Sequence, residues 1–211
     1  MRVSILGISA SPRIASTEFA VKTALESAEN LGNVDVDFVR LKDYQIKQCV
    51  HCDACQRNGG RCVLKDDMSS LTERFLAADG YIIGSPVYTM NVNPMLLIFF
   101  NRLRPLRWRY PEGLWGKVGG ALTVGGARNG GQEMALAAIL NCYLSRGIMV
   151  VGCSPKHYAG AKLWTSNRDL AGAREDEIGI DSARDLGVRV AKAALMLKTN
   201  RVVEEREIEN G

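Results

Sequence analysis

Apolar positions along the chain alternate between two rhythms. Residues 2–8 form a short, mostly apolar run that breaks at Gly7, Ser9 and Ser11, which suits a buried strand. Over residues 14–31, Phe19, Ala20, Ala24, Ala28 and Leu31 recur at close to helical spacing, with Ser16 or Thr17 placed to cap the first turn. Val34, Val36 and Phe38 then alternate with Asp35 and Asp37, a strand signal. Further on, Asp66 and Asp67 open a helical pattern through Met68, Leu71, Phe75, Leu76 and Ala78, with the acids at the end the helix dipole favours. The remaining pattern predicts strands at 81–84, 118–124 and 148–151 and helices at 94–103, 132–145 and 182–197. The charged tail at 199–211 is expected to fray or to pack late.

Five apolar strands alternating with helices predict an α/β fold, a doubly wound five-stranded parallel sheet with helices on both faces. No repeat, low-complexity block or Pro-rich linker interrupts it, so residues 1–211 read as one domain with a cysteine-rich loop at 45–65. Composition agrees: 46% of the 211 residues are hydrophobic and 24% charged, which excludes disorder and collagen. A net charge of +4 is too small for a dedicated nucleic-acid binder. The longest central apolar stretch, 95–100, is far short of the ~20 residues a membrane helix needs. The first eight residues are too short an apolar run for an export signal, so the expectation is a cytoplasmic protein with neither membrane nor nucleic acid as partner.

In such sheets ligands bind at the carboxyl ends of the strands, near the point where strand order reverses. The first loop there offers hydroxyls from Ser9, Ser11, Ser16 and Thr17, the Arg13 guanidinium and backbone N–H groups at a helix start, the parts needed to hold a phosphate. It lacks the three glycines of a dinucleotide fingerprint and the Gly-Lys-Ser/Thr of a P-loop. In the second loop, Pro86 and Pro94 stiffen the chain and Tyr88 offers a flat face for stacking. The third, 123–133, is glycine-rich enough for its backbone to approach a planar ring. Together the three loops describe a mononucleotide site.

The phosphate loop, Ser85-Pro86-Val87-Tyr88, and the Gly125-Gly126 to Gly130-Gly131 loop resemble those of the flavodoxin-like NAD(P)H-dependent FMN reductase superfamily, in the same order along the chain. The resemblance implies that Ser9, Ser11, Arg13, Ser16 and Thr17 hold the FMN phosphate. It implies Pro86, Val87, Tyr88 and Asn91 along the isoalloxazine and ribityl, and Thr123, Gly125, Gly126, Gly130 and Gly131 at the ring edge.

Four of the six cysteines, Cys49, Cys52, Cys55 and Cys62, fall within 14 residues, with gaps of two, two and six. In a reducing compartment such a group points to metal or redox chemistry rather than disulfides. Structural zinc sites usually join two separated pairs, whereas successive two-residue steps resemble the ferredoxin run around a cubane. A zinc staple and unligated thiols stay open on spacing alone. Lys47, Arg57, Arg61 and Lys65 are expected to compensate the cluster's negative charge, with His51 a bystander. This run, placed between the second strand and the next helix of a flavodoxin-like chain, is similar to that of the iron–sulfur flavoprotein family. The resemblance implies a 4Fe–4S cluster beside FMN, a homodimer or homotetramer, and electron transfer from reduced ferredoxin or a similar carrier to a small-molecule acceptor.

Cys142 and Cys153 read as small buried hydrophobes, and His157 as a surface or structurally satisfied residue. Arg102, Arg104, Arg107 and Arg109 form the one basic stretch, read either as a solvated surface or as a dock for an acidic carrier or a nicotinamide phosphate; Trp108 and Tyr110 beside it could line an interface or cover the flavin. The functional expectation is a flavin-dependent oxidoreductase carrying electrons through FMN and a 4Fe–4S cluster, with no side chain as catalytic acid or base. The alternatives are an NAD(P)H-dependent FMN or quinone reductase whose cysteine loop holds zinc or nothing, and a redox or metal sensor.

Overall fold

A computed structural model describes residues 1–209, with side chains through Asn200. Its parallel sheet is built on β1 (Val3–Ser9), β2 (Val34–Arg40), β3 (Gly80–Tyr88), β5 (Val118–Gly125) and β6 (Met149–Val150), in the spatial order β2-β1-β3-β5-β6. This is the flavodoxin-like order, with its reversal between β1 and β3. A two-residue strand, β4 (Asn91–Val92), folds back antiparallel on β3. The fifth position is shared by two short strands: β6 pairs with the start of β5, and β7 (Ala161–Trp164) with its end, Leu122 to Gly125. The expected strand at 148–151 is therefore shorter, and its continuation was missed because residues 152–160 loop out and leave only four residues of alternation.

Strand alternation divides the core in two. From β1, Leu6 and Ile8 enter a cluster with Phe75, Tyr81, Phe99, Phe100 and Tyr143, while Val3 and Ile5 enter another with Val21, Ala24, Leu186 and Val190. The first lies under α3 (Met68–Ala77), α4 (Pro94–Arg102) and α6 (Gln132–Leu144); the second lies under α1 (Ser16–Glu29) and α8 (Glu177–Glu209). Phe75 stacks on Tyr81 at 4.1 Å between ring centroids and meets Phe99 edge-on, so the first core is set by aromatic geometry as well as area.

Short helices α2 (Ala54–Arg57), α5 (Leu106–Arg109) and α7 (Asp169–Glu175) carry too few periodic positions to be read in advance. The last helix starts five residues before the predicted boundary and continues into the predicted tail, because no Gly or Pro stands between Gly187 and Asn210 to stop it. Residues 210 and 211 of that tail lie outside the described residues. Among the described residues no helix is long and apolar enough to cross a membrane.

Helix α8 crosses α1 at Gly187, where an added Cβ would stand 1.9 Å from the Ala24 carbonyl oxygen. That backbone contact has no flexible side chain to yield. Gly187→Ala is expected to lower stability by about 3 kcal/mol, read as a fall in the thermal midpoint; an unchanged midpoint would show that the helices part without cost.

Candidate functional site

A cleft of about 290 Å³ opens at the carboxyl ends of β1, β3 and β5. The β1–α1 loop forms one wall, with Ser11, Arg13, Ser16 and Thr17 lining it. The loop is tied to β3 by Ala10 N–H donating to the Gly84 carbonyl at 2.8 Å, and it tightens on itself as Ser11 N–H donates to Ser9 Oγ and Arg13 N–H to Ser11 Oγ. Ala15, at the cap position of α1, has no side-chain acceptor, so the helix's first N–H groups remain available to an anion. Arg13 and Ser16 already hold one: Arg13 Nη1 donates to Asp169 Oδ2 at 3.0 Å and Ser16 Oγ to Asp169 Oδ1 at 2.9 Å.

Beneath the loop, Glu18 is buried, yet its charge is fully countered. Arg40 makes two hydrogen bonds to it at 2.6 and 2.7 Å and Lys22 a third contact at 2.8 Å. The Arg40 guanidinium, against the cost of burial and with help from Lys22, holds the Glu18 carboxyl down at about 2. A second anion in the cleft therefore meets no uncompensated negative charge from Glu18.

Pro86, Val87 and Tyr88, at the end of β3, form the middle of the cleft, and Val124, Gly125 and Gly126 its far side. Ser85 Oγ accepts from Asn93 N–H at 2.9 Å, and Asn93 in turn caps α4 by accepting from Met95 N–H at 2.9 Å. Thr89 and Met90 both have positive φ, the geometry of a type I′ hairpin turn. The tip of that hairpin abuts Gly131 (φ +104), where an added Cβ would stand 2.6 Å from Met90 Cα. Gly131 thus lets the hairpin tip and the third loop pack closely.

Five of the expected residues stand back from the cleft. Ser9 and Thr123 are buried behind it, Thr123 donating to the Gln132 carbonyl at 3.2 Å. Asn91 is exposed and bonded to the N–H of Val92; Gly130 and Gly131 lie further along the third loop. In their place the cleft gains Thr165, Asn167 and Asp169 from the connection between β7 and α7. Asn167 N–H donates to the Gly126 carbonyl at 2.9 Å, and Trp164 Nε1 to the same oxygen at 3.0 Å, so this connection fixes the glycine loop. Ser166, Asn167 and Asp169 have positive φ, a conformation costly for residues with side chains and maintained by its surroundings.

The cysteine loop is a separate structure. Its stems meet where Gln45 N–H donates to Asp67 and Lys47 N–H to Asp66, at 2.7 and 2.9 Å. Arg102, at the end of α4, closes that base. It donates to the Lys47 carbonyl at 2.7 Å and to both oxygens of Asp66, the pair being 1% and 2% exposed, and it reaches Cys62 Sγ at 3.6 Å. Burial pushes the Asp66 carboxyl up, but Arg102 and two backbone N–H groups outweigh it, so Asp66 titrates below the ordinary range. Arg104 donates to Cys55 Sγ at 3.8 Å and pairs with Asp53. Cys49, Cys52, Cys55 and Cys62 all line one recess with Arg102 and Arg104. Among the described residues no three His, Cys, Asp or Glu side chains converge as they would around a single metal ion.

The basic stretch at 102–109 is thus not a uniform solvated face, since Arg102 and Arg104 turn onto the thiols. Of the four cations expected to do this, Arg57 instead bonds the Cys52 carbonyl. His51 is exposed beside Asp53. His157 is buried against Asp181 at 3.1 Å, a satisfied structural residue, and Cys153 and Cys142 pack on the cores, Cys153 with its thiol pushed up to about 12 by burial.

The family described as NADPH-dependent FMN reductase matches residues 3–156. Two iron–sulfur flavoproteins of Methanocaldococcus jannaschii are 36% identical over 93% of this chain and all of theirs, and 40% identical over 84% of this chain and 90% of theirs. The chain belongs to the iron–sulfur flavoprotein family. As such it is a flavin-dependent oxidoreductase with FMN and an iron–sulfur cluster as cofactors. Among solved structures, RosB with bound 8-demethyl-8-formylriboflavin-5'-phosphate superposes at a TM-score of 0.74 over 99% of this chain and 88% of its own, at 18% identity, a likeness of fold.

The residues of this iron–sulfur flavoprotein fit both groups: an anion-holding loop beside an apolar slot, and four thiols on one recess. Asp169→Asn removes the resident carboxylate charge from Arg13 and Ser16 and is expected to tighten FMN binding several-fold in fluorescence-quenching titrations. Unchanged or weaker binding would mean Asp169 works with the ligand. Because the Glu18 carboxyl lies below its unfolded value, its ion pair contributes fully above about pH 4.5 and is lost as pH falls toward 2. The loss is on the order of 3 kcal/mol, and Glu18→Gln should flatten this limb in acid-unfolding curves.

Proposed function

We propose that the chain carries electrons through a 4Fe–4S cluster held by Cys49, Cys52, Cys55 and Cys62 and an FMN held in the strand-end cleft, from a reduced ferredoxin or similar carrier to a small-molecule acceptor. The observation that carries this reading is that all four cysteines line one recess, into which two arginines direct donors at Cys62 and Cys55. A thiolate-ligated cluster is anionic, and N–H donors facing its sulfurs offset that charge.

In the cleft, Ser11, Arg13, Ser16, Thr17 and the first N–H groups of α1 receive the FMN phosphate, with Ser9 bracing the loop from behind. Pro86, Val87 and Tyr88 lie along the ring and ribityl, with Asn91 beyond them on the hairpin. Gly125 and Gly126 stand at the ring edge, while Thr123, Gly130 and Gly131 shape the third loop that presents them. When bound, the flavin supplies the exchange between one-electron and two-electron chemistry. This chain's residues bind and orient both groups.

Six free thiols suit the reducing cytoplasm, and a homodimer or homotetramer fits the family. Cys55→Ala is expected to abolish bound iron and acid-labile sulfide in anaerobically purified protein while FMN stays bound, since the flavin loops lie elsewhere in the chain. A variant that keeps its full iron content would overturn the ligand set. Flavin absorption without iron in the parent protein would return the alternative of a direct NAD(P)H-dependent reductase.

A further inference from the structure

Holding a cluster needs four thiolates and no arginine, yet two guanidinium groups reach over to the sulfurs. Arg102 Nη2 stands 3.6 Å from Cys62 Sγ and Arg104 Nη1 3.8 Å from Cys55 Sγ, both within the range of N–H···S hydrogen bonds. Arg102 is spoken for as a brace: its remaining Nη bonds hold Asp66 and the Lys47 carbonyl. Arg104 is not. It is a quarter exposed, and its other contacts are the Asp53 carboxylate and the face of Trp108, 5.1 Å from the ring centroid.

Asp53 belongs to the cysteine run itself, between Cys52 and Cys55, and it takes the left-handed conformation at φ 55. Its carboxylate is thereby turned onto Arg104 rather than away from the thiols. A cation bonded to one thiol, and an anion bonded to that cation, line the same recess. Hydrogen bonds and positive charge at cluster sulfurs favour the more reduced, more negative state; a nearby carboxylate disfavours it.

We propose that Arg104 and Asp53 form an opposed pair of positioning residues that set the reduction potential of the cluster, Arg104 raising it through its bond to Cys55 Sγ and Asp53 limiting that rise. This rests on the cluster reading given above. When bound, the cluster would supply one-electron chemistry: a low-potential carrier would lose one electron, the cluster core would gain it, and one negative charge would be added behind the thiolates with no bond formed or broken. The Arg104 donors already face that charge, so no proton need accompany it.

The test is a mediated redox titration of the anaerobically purified holoprotein, followed by electron paramagnetic resonance, with iron content measured in parallel. Arg104→Gln is expected to move the cluster midpoint negative by about tenfold in the reduction equilibrium, some 59 mV for one electron. Asp53→Asn, which keeps shape and suits the left-handed conformation, moves it positive. Arg104→Lys restores part of the shift, Arg107→Gln on the exposed face of α5 leaves the midpoint in place, and the flavin couple is unmoved throughout. Midpoints of Arg104→Gln and Asp53→Asn that stay put, or move in the same direction, at full iron content overturn the inference while the ligand assignment stands. Should Arg104→Gln assemble no cluster, Asp53→Asn decides alone, and an unmoved or negative midpoint overturns it. Retention of iron by Cys55→Ala instead removes the cluster reading beneath it.

Discussion

The cysteine loop depends on one buried ion pair. Residues 45–65 contain a single short helix, α2, and four thiols, too little to define a shape by packing. Arg102 supplies the definition from α4, bonding the incoming stem at Lys47, the outgoing stem at Asp66 and the last cysteine at Cys62. A buried pair of this kind contributes little net stability, because desolvation consumes most of the attraction, but losing either partner strands a buried charge at a cost of several kcal/mol. Its effect here is specificity. The pair ties both stems to the end of α4, with all four cysteines lining a common recess beside it.

The strand-end cleft works by the opposite charge logic. Its anion-binding loop must stay positive while sitting on a helix that carries a buried glutamate. Arg40 and Lys22 solve this from below by neutralising Glu18, which leaves Arg13, Ser16 and the helix N–H groups to whatever enters from above. Asp169, at the start of α7 with positive φ, shows that a carboxylate can occupy those donors.

What was legible in advance followed from local order. The strand–helix alternation gave the parallel sheet, and the order of a hydroxyl loop, a proline–tyrosine loop and a glycine loop gave the cleft, since each lies directly after the strand that positions it. The cysteine spacing likewise needed no tertiary knowledge. Arg102 and Arg104 escaped because their partners lie 36 to 55 residues away, so four arginines in eight residues read as one surface when two of them turn inward. Thr165, Asn167 and Asp169 escaped for a related reason: β7 is four residues long and separated by a loop from the strand it continues. The third-loop glycines were read for their openness, and at Gly125 and Gly126 the space is filled by Gln132 and Asn167.

The two sites share no side chain, but one rigid element belongs to both. Helix α4 is capped by Asn93, whose N–H is held by Ser85 of β3 and whose side chain caps the first turn. It ends at Arg102, fixed in the base of the cysteine loop. Between those ends Leu96, Phe99 and Phe100 are buried in the aromatic core, so the helix is fixed by packing as well as at its termini. Nine residues at 1.5 Å each separate the two ends by about 13 Å. The strand that lines the cleft and the base of the cysteine loop are thus held by the two ends of one packed helix.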